Sequence, residues 1–423
     1  MKPVSADSFD IAAHVRAGDR VIFGQASAEP LTLTRALVAR KAEIGPFSVF
    51  LGACYSDCFA PETSDGIAVS AYGAVGVAGQ LAKAGRLEVL PLHYSALNRA
   101  YAEGVLKADV VLLQLSVDPK NGRCGLGFSN DYAVLAARYA RTVIAEVNPA
   151  APWTHDAELP ADIVPDVLVE ADHPPLDIPQ PPIDDTSLAI ARHVVGMIPD
   201  GATLQFGVGS LPEAVMASLT GHRDLGIHSG SMGDRLVDLV ECGAVTNARK
   251  SQDAGRSVAG VLLGTSRLRD FVYDNRDFSL RPAAHTHGQD VLARQRGFVA
   301  VNSAIEVDLT GQVNAEMANG RYVGAVGGQV DFVRGANAAE GGRAIIALPA
   351  TAKGGTISRI VASVSNVTTP RSDVDAIVTE YGVAALRGCT LAERARRLIA
   401  IAAPHFREAL SRALYDQQRG THG

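Results

Sequence analysis

Residues 224–234 read DLGIHSGSMGD: an apolar run (Leu225, Ile227) enters a turn of His228, Ser229, Gly230, Ser231 and Gly233, and the amphipathic DRLVDLVECG leads out. Strand, tight turn and helix is where α/β enzymes place their chemistry. Nothing in the turn is an obvious nucleophile or acid except an imidazole, two hydroxyls and the Asp234 carboxylate. Three further stretches bear on the question. RYVGAVGGQVDF (321–332) sets Gly324, Gly327 and Gly328 around an aliphatic pair; such glycines let backbone N–H groups approach a ligand as an oxyanion or phosphate cradle requires, and equally suit a hairpin turn. LPATAKGGTISRI (348–360) ends a strand in a small-residue loop with Lys353 and Arg359. It is not a G-x-x-x-x-G-K-[ST] loop, but a basic, glycine-bearing loop can hold a phosphorylated tail, or merely expose a solvated lysine. FVAVNSAIEVDLTGQVNAE (298–316) alternates, with Val299, Val301, Ile305, Val307 and Leu309 on one face and Asn302, Glu306, Asp308 and Thr310 on the other. Glu306 then points either into a cleft or into water.

Metal chemistry has thin support. His285-Thr286-His287 would put two imidazoles on one side of a strand, and Cys54 and Cys58 are spaced C-x3-C, but neither pair has a third ligand nearby in sequence, so no metal is expected. The five cysteines, Cys54, Cys58, Cys124, Cys242 and Cys389, are scattered and odd in number, which reads as reduced thiols. Net charge −6 argues against a nucleic-acid surface. MKPVSADSFDIAAHVRAG lacks the basic start and apolar core of a signal peptide, and no run of about 18 apolar residues could span a membrane. A cytoplasmic protein is expected.

The elements that must hold these groups repeat. GDRVIFG (18–24) and GATLQFG (201–207) share a pattern, and each leads through a small-residue, proline-bearing turn into a helical stretch. RTVIAEVNP (141–149) and RAIIALPA (343–350) match later in each half. Between the halves EADHPPLDIPQPPIDDTS (170–187) is rich in proline and acid, an extended linker. At 423 residues the chain is too long for one ordinary core. Two tandem, related α/β domains are expected, 1–184 and 185–423, with mostly parallel sheets covered by helices on both faces, because runs such as ADVVLLQLS (108–116) are apolar without alternation. Disorder is expected only in the tail QQRGTHG.

Taken together, FGVGSLPEAV, DLGIH with DRLVDLVECGAVTNARK, NSAIEVDLTGQVNAE, VGGQVDFVRGA, ATAKGGTISRIV and DVDAIVTEYGVAALRGCTLAERA resemble the acetyl-CoA hydrolase/transferase family, which has the class I CoA-transferase fold and includes 4-hydroxybutyrate and acetate CoA-transferases. RVIFGQASAEP, LQLSVDPKNGRCGLG and VIAEVNPAAPWTH look like its N-terminal unit, so the likeness runs from about residue 14 to 410. It implies a site between two related α/β domains, acyl-CoA and a small carboxylic acid or water as the reacting partners, and a homo-oligomer such as a dimer. In the family a glutamate attacks the thioester, forms a mixed anhydride and then a glutamyl-CoA thioester, which a second acid displaces. The resemblance gives the oxyanion-binding amides to Gly327 and Gly328, and lays coenzyme A along the second half, near Gly207, Gly209, Gly324 and Lys353. The family's glutamate falls two residues after the loop histidine, where this chain has Gly230. Three expectations follow: another carboxylate (Glu306, Asp234 or Glu29) substitutes; or Gly230 leaves room for a water, positioned by His228 and Ser229, and the chain is a hydrolase or an atypical CoA-ester enzyme; or it binds CoA esters without turnover. The second is favoured, since the flanking motifs look intact.

Overall fold

The computed structural model describes residues 2–420. The closing helix, Arg407–Gly420, runs through the first four residues of the tail expected to be disordered, and Thr421, His422 and Gly423 lie outside the described residues. The first sheet holds β1 (Arg20–Phe23), β2 (Ser48–Leu51), β3 (Ala68–Ala71), β4 (Leu87–Val89), β5 (Val110–Val117), β6 (Cys124–Gly125), β7 (Thr142–Val147) and β8 (Val167–Glu170). Its order is 4-3-2-1-5-7-8, all parallel, with β6 antiparallel to β5 at one end. The second sheet holds β9 (Thr203–Phe206), β10 (Gly226–Ile227), β11 (Phe298–Ser303), β12 (Arg343–Ala347), β13 (Ala376–Thr379) and β14 (Gly382–Ala385). Its order is 10-9-11-12-13-14, parallel except for the β13–β14 hairpin.

The repeat read from sequence is a repeat of position. GDRVIFG supplies β1 and GATLQFG supplies β9, each lying where the strand order reverses, between β2 and β5 in one sheet and between β10 and β11 in the other. In open parallel sheets such a switch point opens a crevice at the carboxyl ends of the strands, where ligands bind. The central strands are apolar without alternation because both faces are covered; all but the last residue of β5 are buried.

The alternation read over 298–316 resolves differently. Residues 298–302 are buried throughout, since β11 is an inner strand, and Asn302 exchanges side-chain hydrogen bonds with Gln205 of β9 at 3.2 and 2.9 Å. The chain then leaves the sheet, and Glu306–Asp308 pairs with Val313–Asn314 and Ile360–Val361 in a small separate sheet. There Asp308, on the face read as polar, is buried and accepts from Thr310 and Gln312 across a turn.

The two halves share a core. One apolar cluster includes Ile22 and Phe50 of the first sheet and Leu204 and Phe206 of the second. Backbone bonds cross as well: Ala74 N donates to Gly324 O at 2.8 Å, Tyr94 N to Gly327 O at 2.9 Å, and Asn130 N to Gly260 O at 2.9 Å. The proline-rich segment has no helix or strand between Glu170 and Asp185, but it is fastened: Ile178 N donates to Gly264 O at 2.9 Å and Gln180 Nε2 to Leu263 O at 2.7 Å. All five cysteines are free thiols, and Cys54 and Cys58 are buried beside Glu29. Among the described residues no helix is long and apolar enough to cross a membrane.

Candidate active site

The carboxyl ends of both sheets meet around a cavity of about 270 Å³. The first half contributes Gln25 after β1, Ala53 and Tyr55 after β2, and Tyr72 after β3; the second contributes Gly207 after β9, Gly230 and Ser231 after β10, and Asn302 and Ser303 of β11. Gly327, Gly328 and Gln329 close one wall, where Gly328 is the N-cap of the helix Gln329–Ala338, so the positive end of that helix opens on the cavity. Gln329 is buried and its Nε2 has no hydrogen-bond partner among the described residues, a donor left available to a ligand. Among the described residues no Asp, Glu, Lys or Arg lines this cavity. Its polar groups are neutral and largely satisfied by each other: Gln25 Nε2 donates to Tyr94 Oη at 2.7 Å, and Tyr72 Oη donates to Gln25 Oε1 at 2.8 Å.

The turn after β10 divides its labour. Gly230 O accepts from Gly260 N at 3.1 Å and Val261 N at 3.0 Å, which pins the turn. The Ser229 hydroxyl bonds Phe206 O at 3.2 Å. His228 is fully buried behind the turn. Its Nε2 lies 3.2 Å from Thr286 O, which can only accept, so Nε2 carries the proton and Nδ1 accepts from Gln295 Nε2 at 3.2 Å. Burial, with the Lys250 ammonium nearby, pushes its pKa down to about 3. His228 and Ser229 therefore hold the turn, and of the four residues from 228 to 231 only Gly230 and Ser231 face the cavity.

The carboxylates singled out from sequence are engaged elsewhere. Glu306 Oε1 accepts from Asn314 Nδ2 at 2.9 Å and Ser365 N at 3.3 Å. Asp234 accepts from Thr265 N, Thr265 Oγ1 and Leu268 N, fastening the start of the helix Ser266–Val272. Glu29 is wholly buried, taking hydrogen bonds from Ser56 and Thr34, and burial raises its pKa. Among the glycines, Gly209 caps the helix Ser210–Ala217 and lines a small adjoining cavity with Ser229. Gly324 serves the crossing between the halves, and a Cβ there would lie 2.0 Å from Ala315 O. Lys353 is exposed at the tip of the hairpin joining Thr351–Ala352 to Ile357–Ser358, outside the cavity lining.

The 285–287 stretch is not a strand. Ala283–Thr286 is a single helical turn with His287 at its C-cap, and the two imidazoles part company. His285 Nε2 pairs with Asp253 at 2.8 Å. His228, Asp253 and His285 offer ligand atoms within 4.8 Å of one another, but both ring nitrogens of His228 are taken and the buried Lys250 ammonium stands beside the group. The cluster thus braces the turn. His287 goes the other way and lines the cavity. Its ring lies between Tyr94 and Phe332, with centroids at 4.7 and 4.5 Å, and its Nδ1 is 2.8 Å from Thr286 Oγ1. Burial pushes its pKa down to about 3, so the ring is neutral at physiological pH. Gln329 and His287 are among the site residues that spacing did not single out for catalysis, with Gln25, Tyr72 and Tyr94; nothing in a lone Gln after Gly-Gly, or in a His among turn residues, distinguishes them locally.

Comparison with known proteins agrees with this geometry. Residues 4–173 match the acetyl-CoA hydrolase/transferase N-terminal domain, and residues 264–414 match the C-terminal domain. The chain is 40% identical over 397 residues to a 4-hydroxybutyrate coenzyme A transferase of Clostridium kluyveri, covering 92% of each. It is 31% identical over 242 residues to an acetyl-CoA hydrolase of Kluyveromyces lactis, covering 52% of this chain and 44% of that one. The crystal structure of RipA from Yersinia pestis superposes with a TM-score of 0.91 at 33% identity, covering 99% of this chain and 98% of that one.

Proposed function

The chain belongs to the acetyl-CoA hydrolase/transferase family, and on that premise we propose that it hydrolyses acyl-CoA thioesters, with water in place of an acceptor acid. The observation that carries this reading is a cavity without a carboxylate, with glycine at position 230. A glutamyl-CoA intermediate needs a carboxylate within reach of the thioester carbon. Glu306, Asp234 and Glu29 are each committed to other hydrogen bonds. The remaining parts suit acyl transfer to water. The N-terminus of the helix at Gly328 and the free amide of Gln329 can receive the negative charge that grows on the thioester oxygen. Coenzyme A leads out over the second half, past Gly207 and Gly209 towards the exposed Lys353.

The acyl group is neutral and mostly apolar. Tyr72, Tyr94, Val261, Leu263 and Phe332 make up much of the lining, and no cation is present to receive a second carboxylate. Thiol release measured over an acyl-CoA panel, with and without acetate, tests the reading. The expected result is release that does not depend on acetate, faster for butyryl-CoA than for succinyl-CoA, with one oxygen from labelled water in the acid product. Acetate-dependent exchange of CoA, with a protein-bound CoA adduct trapped by borohydride, would refute it, and so would tight CoA binding with no turnover.

A further inference from the structure

The ring of His287 occupies the space into which a side chain at position 230 would project. An ideal Cβ on Gly230 would lie 2.9 Å from both Cε1 and Nε2 of His287, and one on Gly328 would lie 2.6 Å from Nε2. Both are closer than real Cβ contacts come, so the imidazole sits in a slot that exists because both neighbours are glycine. The ring packs against Tyr94 and Phe332, tilted 35° and 46° to them, and Thr286 meets its Nδ1 edge. The Thr286 hydroxyl lies 2.8 Å from Nδ1 and 3.5 Å from Pro282 O; in the tautomer in which it donates to Pro282 O and accepts from Nδ1–H, Nε2 keeps a bare lone pair. Nε2 has no hydrogen-bond partner among the described residues, and the ring lines the cavity.

We propose that His287 is the general base for thioester hydrolysis, its Nε2 standing where the family resemblance puts the glutamate. This rests on the hydrolase reading and names the residue that makes it work. A water held at Nε2 loses a proton to it as its oxygen bonds the thioester carbon. The carbonyl π electrons move to oxygen, facing the Gly328 helix N-terminus and Gln329 Nε2. The tetrahedral species collapses, the C–S bond breaks, and the departing CoA sulfur takes the proton back from Nε2. Acyl-CoA and water have become the acid and free CoA, and the imidazole is neutral again. Among the described residues no carboxylate lines the cavity, so the ring starts neutral; with its pKa held near 3 by burial it is a weak base until substrate is bound, and the oxyanion forming beside it is what stabilises the imidazolium as the proton arrives.

His287→Ala and the gentler His287→Asn test this by acyl-CoA hydrolysis, CoA affinity by calorimetry, and rescue with free imidazole. The expected result is a fall in kcat of about 10² or more in both, CoA affinity within threefold of wild type, and partial recovery of His287→Ala by imidazole. A second arm reads the slot. Gly230→Glu alone meets the ring, whereas Gly230→Glu with His287→Ala has room for the carboxylate, so only the double variant should gain acetate-dependent CoA exchange and a borohydride-sensitive adduct. If wild type hydrolyses and both His287 variants keep more than a third of its kcat, the inference is overturned and the hydrolase reading stands. A loss matched by lost CoA affinity, with no response to imidazole, makes His287 structural and overturns it too. If wild type transfers CoA to acetate without net hydrolysis, the hydrolase reading falls and this inference with it.

Discussion

Gly328→Ala isolates the packing of the site from its backbone. At Gly328 φ is −92° and ψ is 2°, the conformation of the third residue of a type I turn and open to alanine, so the substitution brings little backbone strain. Its Cβ, however, would lie 2.6 Å from His287 Nε2, 2.7 Å from Cδ2 and 3.2 Å from Phe332 Cε2. Reaching ordinary contact at about 3.6 Å requires the imidazole to move by about 1 Å. Tyr94 and Phe332 pack against the ring, so the movement strains a packed cluster by about 1–3 kcal/mol. A reacting group misplaced by about 1 Å loses about 10² in rate. The expected outcome is a folded protein with a modestly lowered melting temperature and kcat/KM for thiol release down about 100-fold. Gly327→Ala is the counterpart: its φ of +51° strains the backbone, but the nearest atom, Ala325 Cβ, is 3.8 Å away. That variant should lose stability while keeping more of its rate. The reasoning is refuted if Gly328→Ala melts within a degree of wild type and retains kcat within threefold.

Glu306→Gln should change kcat less than threefold, since the carboxylate serves Asn314 and Ser365 outside the cavity; a tenfold loss in a folded variant would return Glu306 to the chemistry. His287 also sets a pH signature in stability. With its folded pKa near 3 against about 6.5 unfolded, the unfolded chain binds the extra proton between those values, so this residue's share of stability is intact above pH 6.5 and lost as pH falls. Comparing urea midpoints of wild type and His287→Asn at pH 7 and pH 5 should show wild type losing about 2 kcal/mol relative to the variant. Parallel behaviour of the two would mean that the ring is not desolvated.

How much of this was legible from sequence depended on how local each cause is. The repeat was readable because Gly, two residues, Val or Leu, one residue, Phe and Gly make a strand and turn in both halves, and β1 and β9 do take equivalent places. The unbroken apolar run of β5 announced a strand covered on both faces. The alternation of 298–316 misled because parity says which side chains share a face and not what covers each face; β11 is covered on both, and the chain turns out of the sheet before Glu306. The 285–287 stretch was misread as a strand because a single helical turn has no periodicity to reveal it. The importance of His287 is invisible in its neighbours, since it depends on two glycines brought from distant turns.

The shared core and the crossing backbone bonds bear on how the protein is made. With Ile22 and Phe50 packed in one cluster with Leu204 and Phe206, either half released alone would bare a large oily face, and the glycine turn at 324–327 would lose the edges that shape it. Yet the exposed Pro181 and Pro182 lie beyond the last fastening of the connecting segment. A gene divided there should give two polypeptides that are insoluble apart, and that reassemble into a working whole when synthesised together.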